Sequence, residues 1–258
     1  MKICVGYQWA PDPEEASVNA DGTMDFSRAK PAISEYDATA IEVGRLLAAA
    51  SGAELIGVSV GGAASAAPVA TKAALSRGLA QTLVVSDPSL DGAGTTSTAK
   101  AFAAAVTSLD DVALVITGDT SVDSGSKMMA AVLGGVLGWP VITDASSVEF
   151  DQGKVKVTRV LSEGVQTLVA PSPAVVAVAA DAAKPKAPGM KDVMEAGKKP
   201  VTVKSAADLG IAQGDEGTLR STAKLTGPAR KSQRIDTADP AAAAAELVSA
   251  LRAAGALD

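Results

Sequence analysis

Short apolar runs alternate with helical patterns through the first half of the chain. Lys2–Gln8, Glu54–Val60, Thr82–Ser86 and Val112–Thr117 are each mostly apolar and end in, or run straight into, Gly, Ser or Gln. Runs of that length without period-two alternation are the pattern of strands buried on both faces. Between them, Ala40, Ile41, Val43, Leu46 and Leu47 recur at helical spacing, as do the apolar positions of Ala66–Ser76 and Thr98–Ser108. A further apolar helical pattern begins near Ser126. Alternating strands and helices with short links predict an α/β fold, a doubly wound and mostly parallel sheet covered on both faces.

Beyond Pro140 the period changes. Ser147–Phe150 and Lys154–Leu161 alternate about Asp151-Gln152-Gly153, which reads as a hairpin, and Val165–Val169 continues the alternation. Pro173–Ala180 is an unbroken buried strand. The sheet is therefore expected to carry an antiparallel extension. From Asp181 order falls away: Met190–Ala196 and Ser205–Gly210 read as short helical pieces, and Pro240–Ala254 as a last helix capped by Asp239. Gln213–Asp239 has little apolar content, and a tail of roughly 60 residues cannot bury enough surface alone and needs something to lie against. The expected organisation is an α/β nucleotide-binding domain over residues 1–180 and an extended C-terminal arm over 181–258.

Near the N-terminus, Trp9–Lys30 is an excursion rich in Pro, Asp and Asn, with Val18 and Met24–Phe26 flanking an Asn19-Ala20-Asp21-Gly22 turn as a small hairpin. An insertion of this length in a compact domain is usually functional or faces a partner. Ser34 is a candidate N-cap for the next helix, and Asp37 three residues on makes a variant of the capping box.

Composition narrows the chemistry. Apolar residues make up 47% of the 258 residues but aromatics only 3%, so the core is built from Ala, Val, Leu and Ile. A net charge of −6 argues against a nucleic-acid partner. No apolar run reaches the roughly 18 to 20 residues that span a bilayer, so no membrane insertion is expected. The N-terminus enters a strand without a signal-peptide pattern, and the single Cys4 cannot form a disulfide within the chain; both suit the cytoplasm. There is no histidine. That removes Ser-His-Asp and Cys-His nucleophiles and His-ligated zinc, while one cysteine removes thiolate zinc sites and iron–sulfur clusters. No catalytic residue and no metal ligand is assigned. Redox or transfer chemistry has to come from a cofactor or a partner.

Ligands of open α/β sheets gather at the carboxyl ends of the strands. Those ends are Gly6-Tyr7-Gln8, Ser59-Val60-Gly61-Gly62, and Gly118 to Lys127. The last is the most suggestive: an apolar strand runs into a Gly/Ser/Asp loop and then a helix whose N-terminus favours negative charge. Neither G-x-G-x-x-G nor G-x-x-x-x-G-K-[ST] is present. Asp123 is the acidic residue expected in the nucleotide loop. Tyr7 packs either on an adenine ring or on the sheet. Gly134 and Gly135, mid-helix, indicate close helix–sheet packing. These loops alone would suit a stand-alone adenine-nucleotide-binding regulatory module.

The ordered blocks resemble a known family. They are Val18-Asn19-Ala20-Asp21-Gly22 with Asp25-Phe26-Ser27, Ile33-Ser34-Glu35-Tyr36-Asp37 leading into Ala40-Ile41-Glu42, Ser59-Val60-Gly61-Gly62, and Leu75-Ser76-Arg77-Gly78. Gly118-Asp119 and Asp123 follow at a matching distance before Leu137-Gly138-Trp139-Pro140, then Val157-Thr158-Arg159, Pro173 to Val178, Met190-Lys191 and Lys198 to Val201. Together, over Met1 to about Gln213, they resemble the β subunit of electron transfer flavoproteins, most closely the branch encoded with nitrogen-fixation (Fix) and carnitine-metabolism genes. The resemblance implies an adenine-nucleotide α-hydrolase-like fold and a heterodimer with an α subunit that carries FAD. It implies electron transfer from a dehydrogenase to a quinone reductase or ferredoxin, with AMP or a second FAD in this chain and the C-terminal arm wrapping the α subunit. The cofactor-binding positions it implies are Gly6, Tyr7, Gln8, Ser34, Ser59, Gly61, Gly62, Gly118, Asp123, Ser126, Lys127, Met128, Met129 and Ala130.

The chain also departs from the family pattern. Ser126 to Ala130 stands where the family has a Gln-rich segment ending in Gly, so Ala130 replaces the glycine that admits phosphate. Lys127 is either a point charge for phosphate or a solvated lysine, and Met128 and Met129 read as core. Gln8 replaces a common basic residue, and Ser162 and Gln166 replace frequent carboxylates. Arg159 reads as an interface residue.

Overall fold

In the computed structural model, residues 1–122, 125–151, 153–211, 229–230 and 232–257 are described. Strand β1 (Lys2–Gly6) is followed by the excursion, which holds β2 (Trp9–Pro11), β3 (Ser17–Val18), β4 (Met24–Asp25) and β5 (Pro31–Ile33). Then come α1 (Glu35–Ser51), β6 (Glu54–Gly61), α2 (Pro68–Leu75), β7 (Gln81–Ser86), α3 (Thr95–Thr107), β8 (Val112–Gly118) and α4 (Met129–Leu137). The remainder is β9 (Val141–Asp151), β10 (Lys154–Leu161), β11 (Gly164–Pro171), β12 (Ala174–Val178), α5 (Met190–Ala196), β13 (Val201–Lys204) and α6 (Pro240–Ala253).

One nine-stranded sheet runs in the order β11-β10-β9-β12-β8-β1-β6-β7-β13. From β9 to β13 every neighbouring pair is parallel; β9-β10-β11 is antiparallel. The fold is thus α/β, mostly parallel with an antiparallel extension. Strand β9 belongs to both parts. Its first residues pair with β12, a register shift follows with Asp144 at φ 58°, and its later residues pair with β10. The strand therefore begins six residues before the Ser147 expected from alternation, because its parallel half is buried without a period-two signature.

Two apolar layers cover the sheet. On one face α1 and α2 pack over Ile3, Val5, Leu55, Leu114 and Ile116; on the other α3 and α4 pack over Cys4, Ile56, Val58, Leu83 and Val115. Alternate residues of β1 thus supply both layers. The close approach of α4 rests on Gly134, where a Cβ would lie 2.0 Å from Val141 Cγ2; Gly135 faces open space and takes no part in it.

The contacts divide the chain into two units, Met1–Gly217 and Thr218–Asp258. In the first, Val201–Lys204 adds to the sheet edge as β13, and Lys199 Nζ donates to the carbonyls of Leu75 and Leu79 at 3.0 and 2.7 Å. In the second, α6 starts at Pro240 with Asp239 as its cap, whose Oδ1 accepts the Ala241 N–H at 3.0 Å. No α6 residue is buried. Among the described residues no helix is long and apolar enough to cross a membrane.

Candidate functional site

Four adjacent parallel strands, β8, β1, β6 and β7, deliver their carboxyl ends to one edge of the sheet. A cavity of about 380 Å³ opens there. Residues 6–9 lead from the end of β1 into its wall, Gly61 ends β6 and Gly62 follows it, residues 90–95 follow β7, and residues 117–121 and 126–129 lead on from the end of β8. Phe102 of α3 closes the floor, its ring so near Gly6 that a Cβ there would fall 2.7 Å from Cε1.

Two helices begin at this edge. Gly94 and Thr95 open α3, Met128 and Met129 open α4, and all four residues line the cavity. First-turn N–H groups have no intrahelical acceptor, and they carry the positive end of the helix dipole. Thr117 Oγ1 and Thr120 Oγ1, both on the cavity wall, are buried and have no hydrogen-bond partner among the described residues. Buried hydroxyls are normally paired, so two on one wall mark it as the place of a polar ligand or bound water.

Of the residues expected at a site, Gly6, Tyr7, Gln8, Gly61, Gly62, Gly118, Ser126, Lys127, Met128 and Met129 meet at the cavity. Asp123 lies outside the described residues. Ser34, Ser59 and Ala130 are elsewhere. Ser34 precedes α1, yet its side chain makes no cap and its buried Oγ has no partner among the described residues. Asp37 does not complete a capping box: its Oδ2 accepts the Gln8 backbone N–H at 2.8 Å and ties α1 to the end of β1. Ser59 is buried within β6. Ala130, in the first turn of α4, is turned into the apolar layer under α3 and so is not a wall residue.

Tyr7 packs on the sheet. Its ring is buried and its hydroxyl lies 2.8 Å from Thr82 Oγ1, which donates to the Gly57 carbonyl; Tyr7 is therefore the donor of the first bond. Burial raises its pKa to about 12. Lys127, at φ 53°, pairs with Asp119 Oδ2 at 2.5 Å, and this partner holds its ammonium in the charged form. It is 60% exposed, a cation at the rim and not a buried one. Met128 is exposed rather than core, while Met129 leans on the α3 layer. Helix α4 starts at Met129 and not at Ser126, because the left-handed Lys127 precludes an earlier helical turn.

Sequence reasoning gave no role to the loop after β7. Asp91-Gly92-Ala93-Gly94-Thr95 was visible as a Gly-rich strand-to-helix link of the same kind as the one after β8. At the far end of the sheet, Gln166 Oε1 accepts from Arg159 Nε and Nη2 at 3.0 and 2.9 Å.

A family model for the electron transfer flavoprotein domain matches residues 21–209, well over half of the chain and every element from β4 to β13.

Proposed function

This chain belongs to the electron transfer flavoprotein domain family, and from that premise we propose that it is the β subunit of a heterodimeric electron carrier, of the branch encoded with nitrogen-fixation and carnitine-metabolism genes. It binds AMP or a second FAD in the strand-end cavity. The α subunit carries the FAD that accepts electrons from a dehydrogenase and passes them to a quinone reductase or ferredoxin. The flavin supplies the redox chemistry when bound; this chain, without histidine, supplies binding and orientation.

The observation that carries this reading is the cavity. Its glycines at 6, 61, 62 and 118 admit a flat ring close to the backbone, its helix starts suit an anion, and Thr117 and Thr120 offer two hydroxyls unpaired among the described residues. A lysine stands at the rim beside the start of α4. That set fits an adenine nucleotide.

A partner subunit is supported by the outward face of β10–β11. Val160 and Val165 face each other across the ladder, and Val169 lies on the same side; they are 63%, 69% and 60% exposed. The opposite face of the same hairpin buries Val155, Val157 and Ala170. An apolar stripe on an edge hairpin is a surface meant to be covered. Of the arm proposed over 181–258, Ala182, Ala196 and Val201–Lys204 pack within this chain's own first unit, and α6, with Leu247 and Val248 exposed, is the part that extends over the α subunit. Co-expression with the adjacent FAD-carrying subunit tests this. The expected product is a yellow 1:1 complex that Val165→Lys weakens; a flavin-free monomer from the unaltered pair refutes the reading.

A further inference from the structure

Among the described residues three carboxylates line the cavity: Asp37, Asp91 and Asp119. Two are committed, Asp37 to the Gln8 N–H and Asp119 to Lys127. Asp91 is exposed on the wall, and among the described residues no hydrogen bond or ion pair ends on its carboxylate. Its side chain lies across the end of β6. A Cβ at Gly62 would fall 3.0 Å from each of Asp91 Cβ, Cγ and Oδ1, so the absence of one at Gly62 lets the carboxylate reach over that strand.

The opposite wall has the opposite polarity. Lys127 and the start of α4 stand at the end of β8. Strands β8, β1 and β6 are successive neighbours, so two steps of ~4.8 Å put the cationic and acidic walls about 10 Å apart. That is the span of an extended nucleoside monophosphate from its phosphate to the far edge of its base. A ligand with its anion at Lys127 therefore presents a base edge, not its sugar, to Asp91. An ionised carboxylate only accepts hydrogen bonds. On the N7 side of C6 adenine offers an amine donor, whereas hypoxanthine and guanine present there only the O6 and N7 acceptors that a carboxylate repels. On the N1 side the oxo-purines carry an N1–H donor, so selection of adenine requires Asp91 to meet the base from its N7 side.

We propose that Asp91 selects adenine in this cavity by accepting a hydrogen bond from the exocyclic 6-amino group of the ligand. The assignment rests on the nucleotide reading above. The test is equilibrium binding of AMP, IMP and 2′-deoxy-AMP to the nucleotide-depleted heterodimer and to its Asp91→Asn and Asp91→Ala variants. The unaltered protein is expected to prefer AMP to IMP by about tenfold or more, and Asp91→Asn to bring the two within about threefold, because an amide serves either as acceptor or as donor. The preference for AMP over 2′-deoxy-AMP should not change. An AMP-to-IMP ratio equal in variant and parent overturns the proposal. So does a selective loss of the ribose preference, which would put Asp91 at the sugar. If the unaltered protein binds neither AMP nor IMP, the nucleotide reading itself falls and the proposal with it.

Discussion

Gly118 ends β8 and forms part of the cavity wall, and the backbone of α1 passes directly over it. A Cβ placed there would lie 2.8 Å from Tyr36 Cβ, 2.9 Å from its carbonyl carbon and 3.0 Å from its carbonyl oxygen. Two of those three atoms are main chain in the first turn of a helix, so no rotamer change relieves the clash. Gly118→Ala must therefore push α1 off the sheet or bend β8. Overpacking of this kind costs about 1 to 3 kcal/mol, and a backbone obstacle puts it in the upper part, roughly 2 to 3. For a domain of this size each kcal/mol shifts Tm by about 2 to 4 °C, so the expected drop is roughly 4 to 12 °C. Gly135→Ala is the control: its Cβ meets nothing within 4 Å on an exposed helix face, and replacing glycine there should stabilise by about 0.4 to 1 kcal/mol. The assay is thermal and urea unfolding of the purified full chain followed by circular dichroism. A Gly118→Ala melting temperature within 1 °C of the parent would refute the reasoning, because α1 would then have room over the end of β8.

Three further outcomes follow from individual contacts. Tyr7→Phe removes the hydroxyl that donates to Thr82 and should cost about 1 kcal/mol in urea unfolding without altering the m value. Burial raises the pKa of Cys4 from 9.0 to about 12 and that of Tyr7 from 10.0 to about 12, in the first case against the small opposing field of Lys2. Both groups are favoured neutral in the fold and ionise first when unfolded, so stability should be intact below pH 9 and decline as pH rises toward 12. Cys4→Ala should make that decline shallower, and the Cys4 thiol should react with a thiol reagent only as the chain unfolds. Lys127→Ala should lower Tm modestly, because Lys127 is exposed but the Asp119 carboxylate it pairs with is only 13% exposed and loses its cation, and should weaken AMP binding about tenfold and flatten its salt dependence; an unaltered affinity would identify Lys127 as a partner of Asp119 alone.

The sheet was legible because β1, β6, β7 and β8 are short, mostly apolar runs ended by small residues, without the period-two alternation of a half-exposed strand. Strand β13 was not. Val201–Lys204 is a short edge strand with three exposed residues, and its partner β7 lies more than a hundred residues away, so neither periodicity nor neighbours mark it. The site was half legible. Glycine-ended strands located the walls at 6, 61, 62 and 118, but side-chain direction is a tertiary property: Ser34 and Ala130 have suitable types and turn away, while Asp37 reaches Gln8 instead of its own helix. The start of α4 was misplaced because a polar-to-apolar boundary at Ser126 conceals the left-handed turn at Lys127.

The central claim is that this chain holds an adenine nucleotide of its own beside the flavin of its partner. The most direct measurement is to denature the purified heterodimer and quantify the released nucleotides against protein by chromatography. One FAD and one AMP, or two FAD, per heterodimer is the predicted result, the choice between them separating a structural nucleotide from a second flavin. One FAD and nothing else would contradict the account.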